Sequence, residues 1–432
     1  MRMLITALVM APALRAQMPA VRQIGRLEHM TTDSLASATG AIPLPDGRVL
    51  VNDARGRRLL VFDSTLSHPI VIADTTDATL EAYSRQVGSL IHFRGDSALF
   101  VDVGSLSMIV VRPDGRLGRI LAVPHPDDAQ HLFPVFGLPG FDVHGRLVYH
   151  TAAGPEGIVV RCCIGTLRAT DASGRAMTGK QKIPKPDSAF LVAVDLSARR
   201  TDTIAAIKIA YTPQRFVFDN DGYNTAIEQT YRPLPVVDAW AVLSDGTVAI
   251  VRGRDFHVDF LAAGGRWTSA PKLPFDWQRL DDARKMAIID SATKEDQTRR
   301  DSLARRRATQ SGPGRGGGGR GGGGRSGGVG SGMGGQEVPG IIVRAEIQDV
   351  PDYVPPFGAN AAFADMNDNL WIRTSTLVGG RPVYDVVNRR GELIDRVQLP
   401  SFRTIAGFGR DVIYMAVQDP TGAVHLERAR IH

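Results

Sequence analysis

The chain has 432 residues, of which 43% are hydrophobic and 22% charged, with a formal net charge of +6. That balance suits a folded protein with a sizeable core and excludes wholesale disorder or a collagen-like repeat. Only two cysteines occur, adjacent at Cys162 and Cys163, so a disulfide-dense scaffold is excluded as well. The positive charge is local. From Asp276 to Gly335, twelve Lys and Arg stand against seven Asp and Glu, a surplus of +5 that leaves +1 for the rest. Nucleic-acid binding needs basic charge spread over a folded surface, so no nucleic-acid partner is expected.

Met1-Arg2 precedes an apolar run from Met3 to Leu14, and Arg15-Ala16-Gln17 follows. A basic start, a short apolar run and a small residue read as a secretory signal peptide over residues 1–16. The run falls short of the roughly 20 residues that a membrane-spanning helix needs, and no later run reaches that length. The expected location is therefore periplasmic or extracellular, with no membrane span.

Short alternating segments then recur, each split by a tight turn. Ala41 to Leu44 leads to Pro45-Asp46-Gly47; Arg48 to Asp53, Arg58 to Asp63 and Ile70 to Ala73 complete a set of four. Their Val/Ile/Leu content and period of two suit half-buried strands. The plan repeats around Gly95-Asp96, His144-Gly145, Asp245-Gly246, Asp368-Asn369 and Gly409-Arg410. Spacing is about 49 residues between the first turns and about 42 between the last two. Four strands per repeat of 40 to 50 residues mark propeller blades, and six such units are countable. The sixth has three strands before His432. Val21 to Glu28 is expected to supply its fourth, closing the ring and hiding the sheet edges. The reading is an all-β, six-bladed β-propeller of four-stranded antiparallel blades, a single domain over 21–432.

Phrases such as Leu243-Ser244-Asp245-Gly246-Thr247-Val248-Ala249-Ile250-Val251-Arg252 and Asp368-Asn369-Leu370-Trp371-Ile372-Arg373 resemble the six-bladed propellers of exported bacterial proteins, loosely the NHL and TolB-like group. The resemblance implies a fold and a menu of functions. Propellers of this kind bind peptides, sugars and proteins, and some hydrolyse lactones.

Connections in such a blade alternate between two faces. Turns one-to-two and three-to-four share one face and are nearly all short here. Every long excursion is of the other kind: His125 to Leu138, Thr151 to Ser188, Lys208 to Asp238 and Asp276 to Asn360. Long loops on a rigid scaffold are where binding residues gather. The insertion 276–356 is expected to be helical within 278–310. From 311 to 335, sixteen of 25 residues are Gly, and disorder is expected there.

Second strands should end near that decorated face at Asp53, Asp102, His150, Arg252 and Arg373. Asp238 and Asn360 precede first strands and should reach the same rim. Together they would make a polar, Arg-containing funnel for an anionic ligand or protein partner, since Arg grips carboxylate or phosphate with two parallel bonds. The competing reading is that the arginines pair with the carboxylates and tie blades together. A second functional class is a hydrolase or lyase using the carboxylates and His150. A metal-dependent lactonase of gluconolactonase type would want an acidic residue entering the first blade. Ser34 to Gly40 has none, so no metal and no cofactor are assigned. Asp219-Asn220-Asp221-Gly222 starts like a calcium loop, but its twelfth position is Thr230, and it reads as a turn. Cys162 and Cys163 could form a vicinal disulfide or remain two thiols.

Overall fold

The computed structural model describes residues 18–133, 137–151, 175–183, 187–221, 223–262, 264–310 and 340–432. The expected signal peptide, the cysteine pair and the Gly-rich segment lie outside them. Strands follow one another in antiparallel meanders. The first three sheets run Gly40–Pro43, Val49–Asp53, Arg58–Phe62, Ile70–Ala73; then Gly88–His92, Ala98–Asp102, Ser107–Val111, Leu117–Ala122; then Gly140–Phe141, Leu147–His150, Ser188–Asp195, Arg200–Lys208. The fourth is Ala239–Val242, Val248–Arg252, His257–Leu261, Trp267–Ser269. The fifth is Phe357–Ala364, Leu370–Val378, Arg381–Val387, Leu393–Gln398. The sixth is Arg403–Gly409, Val412–Gln418, Val424–Arg430 with Leu27–Met30.

The second strands explain how these sheets pack. A strand points successive side chains to opposite faces. In the first sheet Leu50 packs toward the second sheet, while Val49 and Val51 pack toward the sixth. In the second sheet Ala98 and Phe100 face the first, and Leu99 and Val101 face the third. Val148 of the third sheet meets Val248 and Ile250 of the fourth. Ala249 and Val251 meet Leu370 and Ile372 of the fifth. Trp371 meets Ile413 and Met415 of the sixth, whose Val412 and Tyr414 return to the first. Each cluster thus joins two neighbours and the last joins the first, so the sheets stand radially as in a propeller. First strands meet around the axis: Gly40–Pro43 touches both Gly88–His92 and Arg403–Gly409.

The closing strand is Leu27–Met30, not Val21 to Glu28. Leu27 pairs with Ala429 and Met30 with Glu427, antiparallel. Thr31 extends the zipper: its amide donates to the Leu426 carbonyl at 2.9 Å, and its hydroxyl accepts the Leu426 amide at 3.1 Å. Val21–Gln23 instead runs parallel to Arg396–Gln398, adding a fifth strand to the fifth sheet, fixed by an Arg22–Asp395 ion pair at 2.6 Å. Both short segments alternate alike, and only their partners separate them.

The tight-turn face is stitched from sheet to sheet. Arg48 donates to the Asp114 carbonyl and Arg94 to that of Gly145; Ser244 donates to Asp368, Asn367 to Asp411, and Arg428 to the Ser64 carbonyl. Between the third and fourth sheets the turn at Gly246 does this by close approach. Its φ is +85°, and a Cβ there would lie 2.3 Å from the Val143 nitrogen, so Gly is required on both counts.

The opposite face carries the excursions, which are not plain loops. Gly179–Ile183, Gln214–Phe218, Asn224–Thr230 and Gly340–Val343 pair into one further sheet, although they come from three separate excursions. Asp219 caps the reversal between the middle two, its carboxylate accepting the amides of Asp221 and Tyr223. The helix Asp282–Gln310 has 29 residues. Its first half is anchored by Ile289 against Leu280, Ala345 and Val350, and by buried Lys285 paired with Asp352 at 2.6 Å. Among the described residues no helix is long and apolar enough to cross a membrane.

Leu426 is fully buried between the sixth and first sheets. Leu426→Ala is expected to lower unfolding free energy by about 2–5 kcal/mol in urea melts, through lost burial and an unfilled cavity at the ring closure.

Candidate functional site

Asp53 ends the second strand of the first sheet, but it is wholly buried. Its carboxylate accepts the amides of Ser37 (2.8 Å) and Gly56 (3.0 Å) and pairs with Arg58 at 2.7 Å. Asp102 holds the equivalent place in the second sheet, buried and accepting from the Ser105 hydroxyl and the Ser84 amide. These two carboxylates organise the loops around them and present no open oxygen to a funnel. His150 is buried too. Its ring meets that of His131 edge-on, centroids 4.6 Å apart, and Tyr149 beside it donates to Asp128 at 3.3 Å.

Arg252 and Asp238 come together as a pair at 2.9 Å. Arg252 also binds Asp259 at 2.8 Å and the Ala206 carbonyl at 3.0 Å, while Asp238 accepts the amides of Lys208 and Gly253. Since Ala206 and Lys208 belong to the third sheet, this cluster ties the third and fourth sheets together. His257 continues it, between Asp255 (2.8 Å) and Asp259 (3.1 Å). Burial works against the charge on Asp259, yet hydrogen bonds from Ser269 and Arg252 hold its carboxyl below the usual range. The sequence signal for this extension is the pair His257 and Asp259, two apart on a strand and so on one face, with Arg252 directly opposite His257.

Arg373 differs. It is exposed, and no hydrogen bond or ion pair is recorded for its side chain among the described residues. It lies across from Tyr384, where the first strand of the fifth sheet bulges between the pairs Phe357–Thr374 and Ala362–Ile372. Asn360 sits inside that bulge with φ +56°, a left-handed conformation that Asn tolerates better than most residues. Bulges of this kind re-aim side chains and gather near binding sites. Of the seven residues that the sequence nominates, Arg373 and Asn360 are thus exposed at one irregularity; Asp53, Asp102 and His150 are buried; Arg252 and Asp238 hold each other. Among the described residues no three His, Cys, Asp or Glu side chains converge in a way that would hold a metal ion.

No protein-family model matches the chain, and no curated protein matches it. Solved structures do. A virginiamycin B lyase from Staphylococcus aureus is 9% identical, over 93% of this chain and 98% of that one, with a TM-score of 0.38. A calcium-binding regucalcin from Agrobacterium tumefaciens is 11% identical over 95% and 97%, TM-score 0.35. A β-propeller domain from Myceliophteria thermophila is 10% identical over 93% and 99%, TM-score 0.36. At such distance these neighbours bring no ligand or activity to this chain; the radial packing stands on the clusters and pairings above.

Two outcomes follow from the side-chain environments. Arg252→Ala should lower stability by about 1–3 kcal/mol, because it strands two half-buried carboxylates, whereas Arg373→Ala should change it by no more than about 0.5 kcal/mol, both read by urea unfolding. Burial pushes buried Asp385 up to about 6, outweighing Arg396 at 3.1 Å. A raised carboxyl favours the fold while protonated, so its contribution is complete below about pH 4 and fades as pH rises through 6. The stability difference between wild type and Asp385→Asn should therefore shift in favour of wild type by up to about 3 kcal/mol between pH 7 and pH 4.

Proposed function

We propose that the chain is an exported, six-bladed β-propeller that binds an anionic ligand or a protein partner on its excursion-bearing face, with Arg373 as the cationic contact and Asn360 beside it. In this reading residues 1–16 are a signal peptide, residues 21–432 form one domain, and 276–356 is an insertion between the fourth and fifth blades.

The observation that carries the reading is the contrast between two arginines on second strands, Arg252 two residues after Ile250 and Arg373 one residue after the corresponding Ile372, so that they point to opposite faces of their sheets. Arg252 is held by two carboxylates and a carbonyl. Arg373 is exposed with no recorded acceptor, at a bulge on the first, inner strand of its sheet. A guanidinium left open in this way can take a carboxylate in a two-bond grip. Apolar loop tips on the same face support a partner. Leu80 is 90% exposed and Phe402 88%, and both hold positive φ, +54° and +62°. Large apolar residues kept exposed in a costly backbone region accord with an interaction surface.

Citrate is a suitable first probe of the anionic site. Calorimetric titration should show saturable binding that weakens at least about tenfold in Arg373→Ala, with an unchanged melting temperature. Equal citrate binding by wild type and Arg373→Ala would remove Arg373 from the role. A calcium-loaded sample tested against small lactones covers the hydrolytic alternative; turnover that survives Arg373→Ala would favour it.

A further inference from the structure

We propose that the ring seam carries a second, independent anion site: a cavity of about 320 Å³ lined by Arg26, Glu28, His29, Arg428 and Arg430 that binds a tetrahedral oxyanion, the group shared by phosphate and sulfate. Its walls come from opposite ends of the chain. Arg26, Glu28 and His29 lie on or just before the closing strand, and Arg428 and Arg430 lie on Val424–Arg430.

Three guanidiniums and an imidazole face a single carboxylate. Glu28 accepts the Arg430 Nε at 2.5 Å and pairs with the Arg428 Nε at 3.2 Å. Arg430 holds its carboxyl below the ordinary range. This one carboxylate engages each arginine through Nε alone, so the terminal nitrogens of Arg430 have no recorded acceptor. Arg428 uses one of its own on the Ser64 carbonyl at 3.0 Å, which fixes the side chain in place. Arg26 is exposed without a recorded side-chain partner. Its backbone is nevertheless pinned, because its carbonyl accepts the Arg430 amide at 3.0 Å. The lining therefore keeps a charge of +2 with histidine neutral: three Arg less one Glu. Donors on fixed stems around an uncompensated positive cavity suit an oxyanion with several acceptor oxygens.

An anion held here would bridge the first and last strands of the ring. Binding to the closed form alone must then stabilise the fold. That predicts a readout independent of any activity and of Arg373.

The test is thermal unfolding of the full chain in millimolar phosphate, sulfate or chloride at matched ionic strength, too dilute for general salting effects. Phosphate or sulfate should raise the melting temperature by about 2–4 °C over chloride. Whichever of the two is more effective identifies the preferred source of the oxyanion. The Arg26→Gln plus Arg430→Gln variant should fold and lose the increment. Glu28→Gln removes the competing carboxylate and should enlarge it, whereas a purely structural Arg–Glu–Arg cluster would only be weakened. Equal melting in all three salts, or an increment retained by the double variant, would overturn the site. Arg373→Ala should leave the increment intact, so this site and the citrate site fail separately.

Discussion

Everything in this protein depends on second strands that are buried on both sides. Val49, Leu50 and Val51 are fully covered, as are Leu99, Phe100 and Val101. An antiparallel sheet with one wet face would show polar residues at every other position. These strands show apolar residues at consecutive positions, because each face meets a neighbouring sheet. The only arrangement in which each of these meander sheets has two neighbours is a closed circuit, and the cluster of Val412, Tyr414 and Leu426 with Val49 and Val51 closes it. Open the circuit there and two apolar faces meet water together.

Once the circuit is closed, its two ends can take different roles. One end is bound from sheet to sheet by short turns, carbonyl-seeking arginines and the close approach at Gly246. That end holds the radial spacing. The other end is free to carry chain in excess, and three excursions use it to build a sheet of their own. The geometry of this second end is supported from below yet not consumed by that support.

The repeat was legible in the sequence because turns and strands are local. Asp46-Gly47 and Asp245-Gly246 announce their conformations, and the alternation on either side announces strands. What was not legible depends on partners distant in the chain. Val21–Gln23 and Leu27–Met30 look equally fit to close the ring; only the register against Val424–Arg430 assigns that role to the second. The additional sheet was hidden for the same reason, since Asn224–Thr230 finds its parallel partner at Gly340–Val343. Arg252 and Arg373 look alike in the sequence, but Arg252 ends its strand whereas Arg373 lies inside Leu370–Val378, one position out of register with it. Their partners differ too: Asp259 on the adjacent strand and Asp238 just before the preceding one, against Tyr384 and a bulge. Asp53 and Asp102 misled in another way: a carboxylate at a strand end can be wholly enclosed by the amides of the loop that follows it.

The junction of Leu27–Met30 with Val424–Arg430 also has a consequence in time. Leu27–Met30 must wait for Val424–Arg430 before it has a partner. Until the three late strands of the sixth sheet emerge, Leu27–Met30 has no sheet to complete and the first sheet lacks one neighbour. A contact that spans some four hundred residues is costly to find. Once found, it covers the apolar faces of the first and sixth sheets together.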